Sequence, residues 1–546
     1  MRLGAWAVMI SLFVPAQTLG QELPTTPPAE GAADLQQAIA TADLAKLKEL
    51  AANTEQLLAQ EQFEAALLVY GALGERLERG QATPDDIPPG SIEANDLKSF
   101  LLTGQGRALA GMDEQLAALD AFKKAMETNA DFPPALIARG EMWLDAGWPD
   151  RALPDFMKAL EGQRFNPAAL FGLGKAYVLI ASSPGGDPDG YAQGIRPLTR
   201  VIDQGVSPKL AEALRLRGIA YSGLFKPDKA LADIEKSLQL NADDHETYFA
   251  HAIAKLRTED YAGAIDELTK TIEHYKPKKG HEEDVYAQGP AVKASTYIEL
   301  GKKAPDEASR KAAYQASIEE SQKLYEKFDE KNPFTARERA GILVTRGIGE
   351  RMLGQMDRAI RTFSQALEAN PALGEAYFRR GICLQQIGEN KMAISDFRQA
   401  AIINYDDPRG NLWEGFVYAK LGDYYEAIRA YGDAIAASDR YTPAYVNRGL
   451  AYMMLGDYEK AVADFNDALR IEPTNGDYFF KRGVAYVQLA QLDKASESLV
   501  SAIEFDPTHR EAYRYMADVM QRLGHADLAE QYRKKGAELE KKPGGP

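Results

Sequence analysis

NRGLAYMMLGDYEKA, residues 447–461, carries Gly449, Gly456 and Ala461 at intervals of seven and five. Taken alone it has the composition of a glycine loop that cradles a phosphate. Its surroundings decide otherwise. Gly347, Gly381, Gly415, Gly449 and Gly483 stand 34 residues apart, with Ala517 at the next step. Seven residues after the glycine come Gly354, Gly388, Gly422 and Gly456; at twelve come Ala359, Ala393, Ala427, Ala461 and Ala495. At sixteen come Phe363, Phe397, Tyr431 and Phe465, and at nineteen Ala366, Ala400, Ala434, Ala468 and Ala502. A strict period of this length marks a repeat architecture.

Each unit encodes two amphipathic helices and a tight turn. Tyr445, Gly449 and Tyr452 fall on one helical stripe, and Ala461, Phe465 and Ala468 on a second. Gly449 and Ala461 are small enough to let the two backbones approach, with Tyr452 and Phe465 filling the space beside them. Between the stripes, Gly456 is suited to a left-handed turn and Asp457 to capping the second helix. Pro371, Pro473 and Pro507 then close their units.

This pattern resembles the tetratricopeptide repeat, over six consecutive units. The resemblance implies an all-α, right-handed α-solenoid in which each helix pair buries its face on the next and a concave groove runs along the array. The amino-terminal half repeats the signature more loosely, at Gly106, Gly140, Gly174, Gly218 and Ala252. The spacing from Gly174 to Gly218 is 44, and the loop SSPGGDPDG, residues 182–190, accounts for the excess.

Seven segments are expected. Residues 1–20 read as a signal peptide, with Arg2 ahead of an apolar run from Leu3 to Val14 that is too short to span a bilayer. Residues 21–32 form a proline-rich spacer, and 33–93 a helical segment and linker. Residues 94–275 form a first array, 276–336 an irregular helical connector with a degenerate repeat, 337–510 a second array, and 511–546 a degenerate last repeat, polar cap and tail. The chain is thus expected to be exported, periplasmic or extracellular, with no membrane span.

A net charge of -16 and a pI of about 5.1 argue against nucleic acid or anionic lipid as partners and favour a basic or neutral one. One cysteine excludes an internal disulfide framework. Cys383 stands where other units carry alanine, a packing position. His245, His251, His274 and His281 lack zinc-ligand spacing and read as solvated side chains. Asp187 and Asp189 begin like a calcium loop, but Leu198 occupies the place of the required glutamate. No catalytic residues, nucleophile elbow, phosphate loop or dinucleotide fingerprint are present, so no cofactor is expected.

Arg139, Arg217, Arg346, Arg380, Arg448 and Arg482 each precede the signature glycine. The favoured reading is that the stem packs and the head reaches a nearby acid; a row for phosphates or carboxylates is the alternative. In the resembled family the first helix of each pair lines the groove. The positions three before the glycine and one after it, carried over by register, with the residue two before the glycine added as a rim neighbour, give as groove candidates Phe378, Arg379 and Ile382; Leu412, Trp413 and Phe416; Val446, Asn447 and Leu450; and Phe480, Lys481 and Val484. The alternative for this row is packing between first helices. The resemblance implies a non-catalytic scaffold that binds protein or peptide partners. A glycosyltransferase-type enzyme lacks room for its catalytic domain, and self-assembly into a homo-oligomer is the third reading.

Overall fold

The computed structural model describes residues 54, 57, 58, 60–79, 92–205, 209–276, 288–327 and 336–541. The signal peptide and spacer expected at 1–32, most of 33–93, the start of the connector and the tail after residue 541 lie outside the described residues. All regular structure among the described residues is α-helical. The chain divides into two compact units, 1–296 and 297–546, at a point inside helix Gln288–Lys303 and so within the expected connector.

In the first unit, helix Phe63–Glu78 packs on the first of five helical hairpins. The hairpins are Ile92–Gly111 with Gln115–Thr128, Pro133–Asp145 with Pro149–Gly162, Pro167–Ser182 with Asp189–Gln204, Leu210–Gly223 with Pro227–Leu240, and His245–Arg257 with Tyr261–His274. In the second unit, helix Glu307–Glu326 precedes six more. These are Ala336–Met352 with Met356–Ala369, Gly374–Gln386 with Asn390–Ile403, Arg409–Lys420 with Tyr424–Ala437, Thr442–Leu455 with Tyr458–Ile471, Gly476–Gln488 with Leu492–Phe505, and Arg510–Arg522 with Ala526–Lys541. Within each unit the helices named above pack each on the next in sequence. Contacts that skip one helix join first helices to first helices within each unit, as in Ala336–Met352 with Gly374–Gln386. First helices are therefore the closer-spaced, inner row of each solenoid.

The period has one steric cause. A methyl group added at Gly449 would stand 2.9 Å from the Phe465 ring, at Gly381 2.8 Å from Phe397, and at Gly140 2.7 Å from Phe156. The ring on the second helix occupies the volume that any side chain sixteen residues earlier would need. Phe122, Phe156, Phe363, Phe397, Tyr431 and Phe465 are among the largest fully buried side chains. Exceptions follow the same geometry: Leu198 fills the place over Gly174 after the long turn, and Tyr314 meets Gly301 across a shorter one. The same contact thus recurs within the segment expected to be a connector.

At the turn of the opening stretch Gly456 is left-handed, with φ 82°. Asp457 departs from its expected role. Its side chain makes no capping bond and accepts from Lys460 Nζ at 2.9 Å instead. In the neighbouring unit Asp423 does cap, accepting from the Glu426 backbone N–H at 3.2 Å. Loops between hairpins are tied by tyrosines four residues before the signature position: Tyr445 donates to the Asp439 carbonyl and Tyr513 to that of Pro507.

Candidate peptide-binding groove

Four of the six arginines before the signature glycines face an acid sixteen positions on, whereas Arg346 pairs with Glu350 four residues on and Arg482 meets Ser498. Arg139 binds Asp155 through two hydrogen bonds of 2.9 and 2.6 Å, Arg217 binds Asp233 at 2.7 and 2.8 Å, and Arg448 binds Asp464 at 2.9 and 2.7 Å. Each fork joins the two helices of one hairpin and buries its acid. A third arm reaches back to the preceding second helix: Arg217 to Thr199 at 3.0 Å, Arg482 to Asn466 at 2.8 Å. The polarity reverses once. Glu414 stands in the arginine's place and accepts from Arg398 at 2.6 Å and Arg429 at 3.0 Å.

His251 holds the same register before Ala252 and lies 3.3 Å from Glu267, sixteen residues on. It is buried, which corrects the expectation of a solvated histidine; its ring lies between the two helices of the hairpin, against the buried Glu267. Burial raises the Glu267 pKa, but His251, Lys270 and Lys255 outweigh it and bring the carboxyl down to about 2. Cys383 is fully buried, and that burial pushes its thiol up to about 11, the behaviour of a packing residue. Among the described residues no group of three or more His, Cys, Asp or Glu is placed to hold a metal ion. No described helix is long and apolar enough to cross a membrane.

The groove candidates separate by burial. Phe378, Ile382, Val446 and Phe480 are buried. Phe378 lies under Trp413 of the next first helix, with ring centroids 6.4 Å apart, and Phe480 lies against His509 at 4.4 Å and Tyr515 at 5.5 Å. These four are packing residues between repeats, because adjacent first helices are close enough to cover them. Leu412, Trp413, Leu450 and Val484 stay partly exposed, and Phe416 is 44% exposed. Trp413 meets Phe416 edge to face at 5.5 Å, so the two rings form one aromatic shelf on helix Arg409–Lys420.

The polar candidates are held in place. Arg379 Nε donates to Glu375 at 2.6 Å, Asn447 bonds the Pro443 carbonyl within its own helix at 2.8 Å, and Lys481 pairs with Asp477. Register carried over only three positions per helix and so missed Glu375 and Arg409, six before the glycine. Arg409 donates to Glu375 at 3.0 Å, pairs with Asp407, and covers Phe378 at 4.8 Å. Its pKa is raised: burial opposes the charge, but the two carboxylates outweigh it. The recurrence of charge at that register, in Glu375, Arg409 and Asp477, was the available signal.

Residues 345–408, 442–475 and 476–509 match models of the tetratricopeptide repeat. These segments are tetratricopeptide repeats, and the class of protein is an α-solenoid built from them. Among solved structures, MamA from Desulfovibrio magneticus is 20% identical over 31% of this chain and 94% of its own, with a TM-score of 0.29. A pilF protein of Pseudomonas aeruginosa is 16% identical over 37% and 93%, with a TM-score of 0.33. YrrB, described as a repeat protein of this type with an unusual peptide-binding site, is 21% identical over 41% and 98%, with a TM-score of 0.29. No curated protein matches the sequence.

Proposed function

We propose that the chain is a non-catalytic scaffold whose second array holds a segment of a partner protein against its first helices. The observation that carries this is the aromatic shelf. Trp413 and Phe416 project from the inner row of helices, and Phe416 keeps 44% of its surface exposed whereas Phe378, Ile382, Val446 and Phe480 are buried. A solvent-facing phenylalanine beside a tryptophan is the kind of anchor that carries binding energy once covered. An extended or helical segment lying along the row would cover both rings, and the charged residues beside them would fix its register. The amino-terminal pattern, Arg2 followed by Leu3–Val14, supports an exported location for this activity.

Affinity capture from cell-envelope extract, with the full chain and with Trp413→Ala and Phe416→Ala combined, tests the reading. Loss of a specific partner in the double variant, with unchanged helicity and melting, is expected. Equal capture by both forms would place the binding surface elsewhere.

A further inference from the structure

The two units differ in what occupies the groove register of their inner helices. In the second unit Trp413 and Phe416 stay open to solvent. In the first unit Phe171, three before Gly174, is buried, and two ammonium groups stand over its ring, Lys175 Nζ at 5.9 Å and Lys209 Nζ at 4.8 Å. Lys209 stands at the start of helix Leu210–Gly223 in the fourth hairpin and donates to Glu141 Oε1 at 3.0 Å. Glu141, one after Gly140, belongs to helix Pro133–Asp145 in the second hairpin. Helix Pro167–Ser182, which carries Phe171, packs on both of these first helices. The ion pair therefore joins two hairpins that have a third between them, and it crosses the inner face at Phe171. The pair of Lys175 with Glu212, at 2.9 Å, joins only neighbouring first helices.

We infer that the Glu141–Lys209 pair is a strap that holds the inner face of the first unit closed over Phe171, and that breaking it lets the second and fourth hairpins move apart. In a solenoid each repeat packs on its neighbours alone, so its curvature is the sum of small rotations at successive interfaces. A tie between repeats that are not neighbours acts on two interfaces at once, and its effect on curvature exceeds its strength. Both side chains of this tie are partly exposed, so the ionic contact is weak and is screened by salt. The contact of Lys209 with the Phe171 ring adds to it. A weak tie suits a strap, because it opens without unfolding either hairpin. The inference is independent of the groove reading for the second unit. It sets a condition on the first: a segment that reaches Phe171 must displace Lys209 from Glu141.

Pulsed dipolar electron paramagnetic resonance on the full chain tests it. Cys383→Ala removes the native thiol, and spin labels are attached through Met157→Cys and Glu235→Cys, at exposed positions on the second helices of the second and fourth hairpins. Glu141→Gln and Lys209→Gln should each lengthen and broaden the distance between labels, and about 1 M salt should do the same to the parent. Exchanging the charges, Glu141→Lys with Lys209→Glu, should restore the parent distance. Lys175→Gln, which breaks only the pair between neighbours, should leave it unchanged. Amide hydrogen exchange along Pro167–Ser182 should quicken in Glu141→Gln by up to about fivefold, the ceiling for one partly exposed pair. A distance that stays the same in both glutamine variants overturns the inference. An equal lengthening in Lys175→Gln, or a charge exchange that does not restore the distance, assigns the effect to general loss of charge and overturns it as well.

Discussion

Arg380 and Asp396, sixteen residues apart on the two helices of one hairpin, meet through two parallel hydrogen bonds of 2.8 Å each. The same fork recurs in three other repeats and lapses at Arg482, where Ser498 takes the acid's place and accepts from Nε at 3.2 Å. Burial there lowers the arginine's pKa, as expected for a cation without its anion. Two outcomes follow. Asp396→Ala should cost about 3 kcal/mol, because it strands a half-buried guanidinium, whereas Arg380→Met with Asp396→Leu should be nearly neutral. Ser498→Asp should raise the unfolding free energy by about 1 kcal/mol, and with it the midpoint, through a charge-assisted bond to Arg482. Calorimetry on the full chain measures both; a lower midpoint for Ser498→Asp would mean that desolvating the new carboxylate costs more than the pair returns.

Gly449→Ala places a methyl group 2.9 Å from the Phe465 ring and should destabilise by about 1–3 kcal/mol through overpacking. In the hairpin of His245–Arg257 with Tyr261–His274 the signature position is already Ala252 and the residue sixteen on is Leu268, both fully buried in one cluster. Adding Phe465→Leu to Gly449→Ala should therefore recover part of the loss. Denaturant unfolding of the two variants checks it, and no recovery would show that the ring is not what excludes the methyl group.

The turn that Gly456 makes at φ 82° is made at Ala490 with φ 56°. A left-handed alanine is strained by about 1–2 kcal/mol. Ala490→Gly should return some of this, offset by the greater freedom of glycine in the unfolded chain, for a net gain of about 0.5–1 kcal/mol. A drop in melting temperature would contradict the turn geometry.

Glu267 titrates well below its ordinary value of 4.5, at about 2, with His251, Lys255 and Lys270 around it. For an acid whose folded pKa is depressed, the stabilisation is full above the unfolded pKa and is lost as pH falls through the folded one. The stability difference between the parent and Glu267→Gln should be full at about pH 5 and shrink as the pH falls from about 4.5 to about 2. A difference independent of pH across that window would remove the ionic role of Glu267.

The fold was legible in the sequence because one contact, a small residue under a ring sixteen positions later, must recur wherever a hairpin closes. Gly449 and Phe465 declare it by identity and spacing alone. The ion-pair register was legible only as a weighing of alternatives, since Asp155, Asp233, Asp396 and Asp464 sit sixteen residues from their arginines without any sign in the local pattern. The groove was the least legible part. Phe378 and Phe416 belong to registers that both face neighbouring first helices, and only the crossing of those helices determines that Phe378 is covered by Trp413 and Phe416 is not.

Site-specific photocrosslinking tests the central claim most directly. A benzophenone side chain is placed at Phe416 or Leu450 on the inner row, or at Tyr425, which is 76% exposed on a second helix. Adducts to one partner protein from the inner positions, with none from Tyr425, are the result the groove account predicts. Adducts from Tyr425 with none from Phe416 or Leu450 would contradict it.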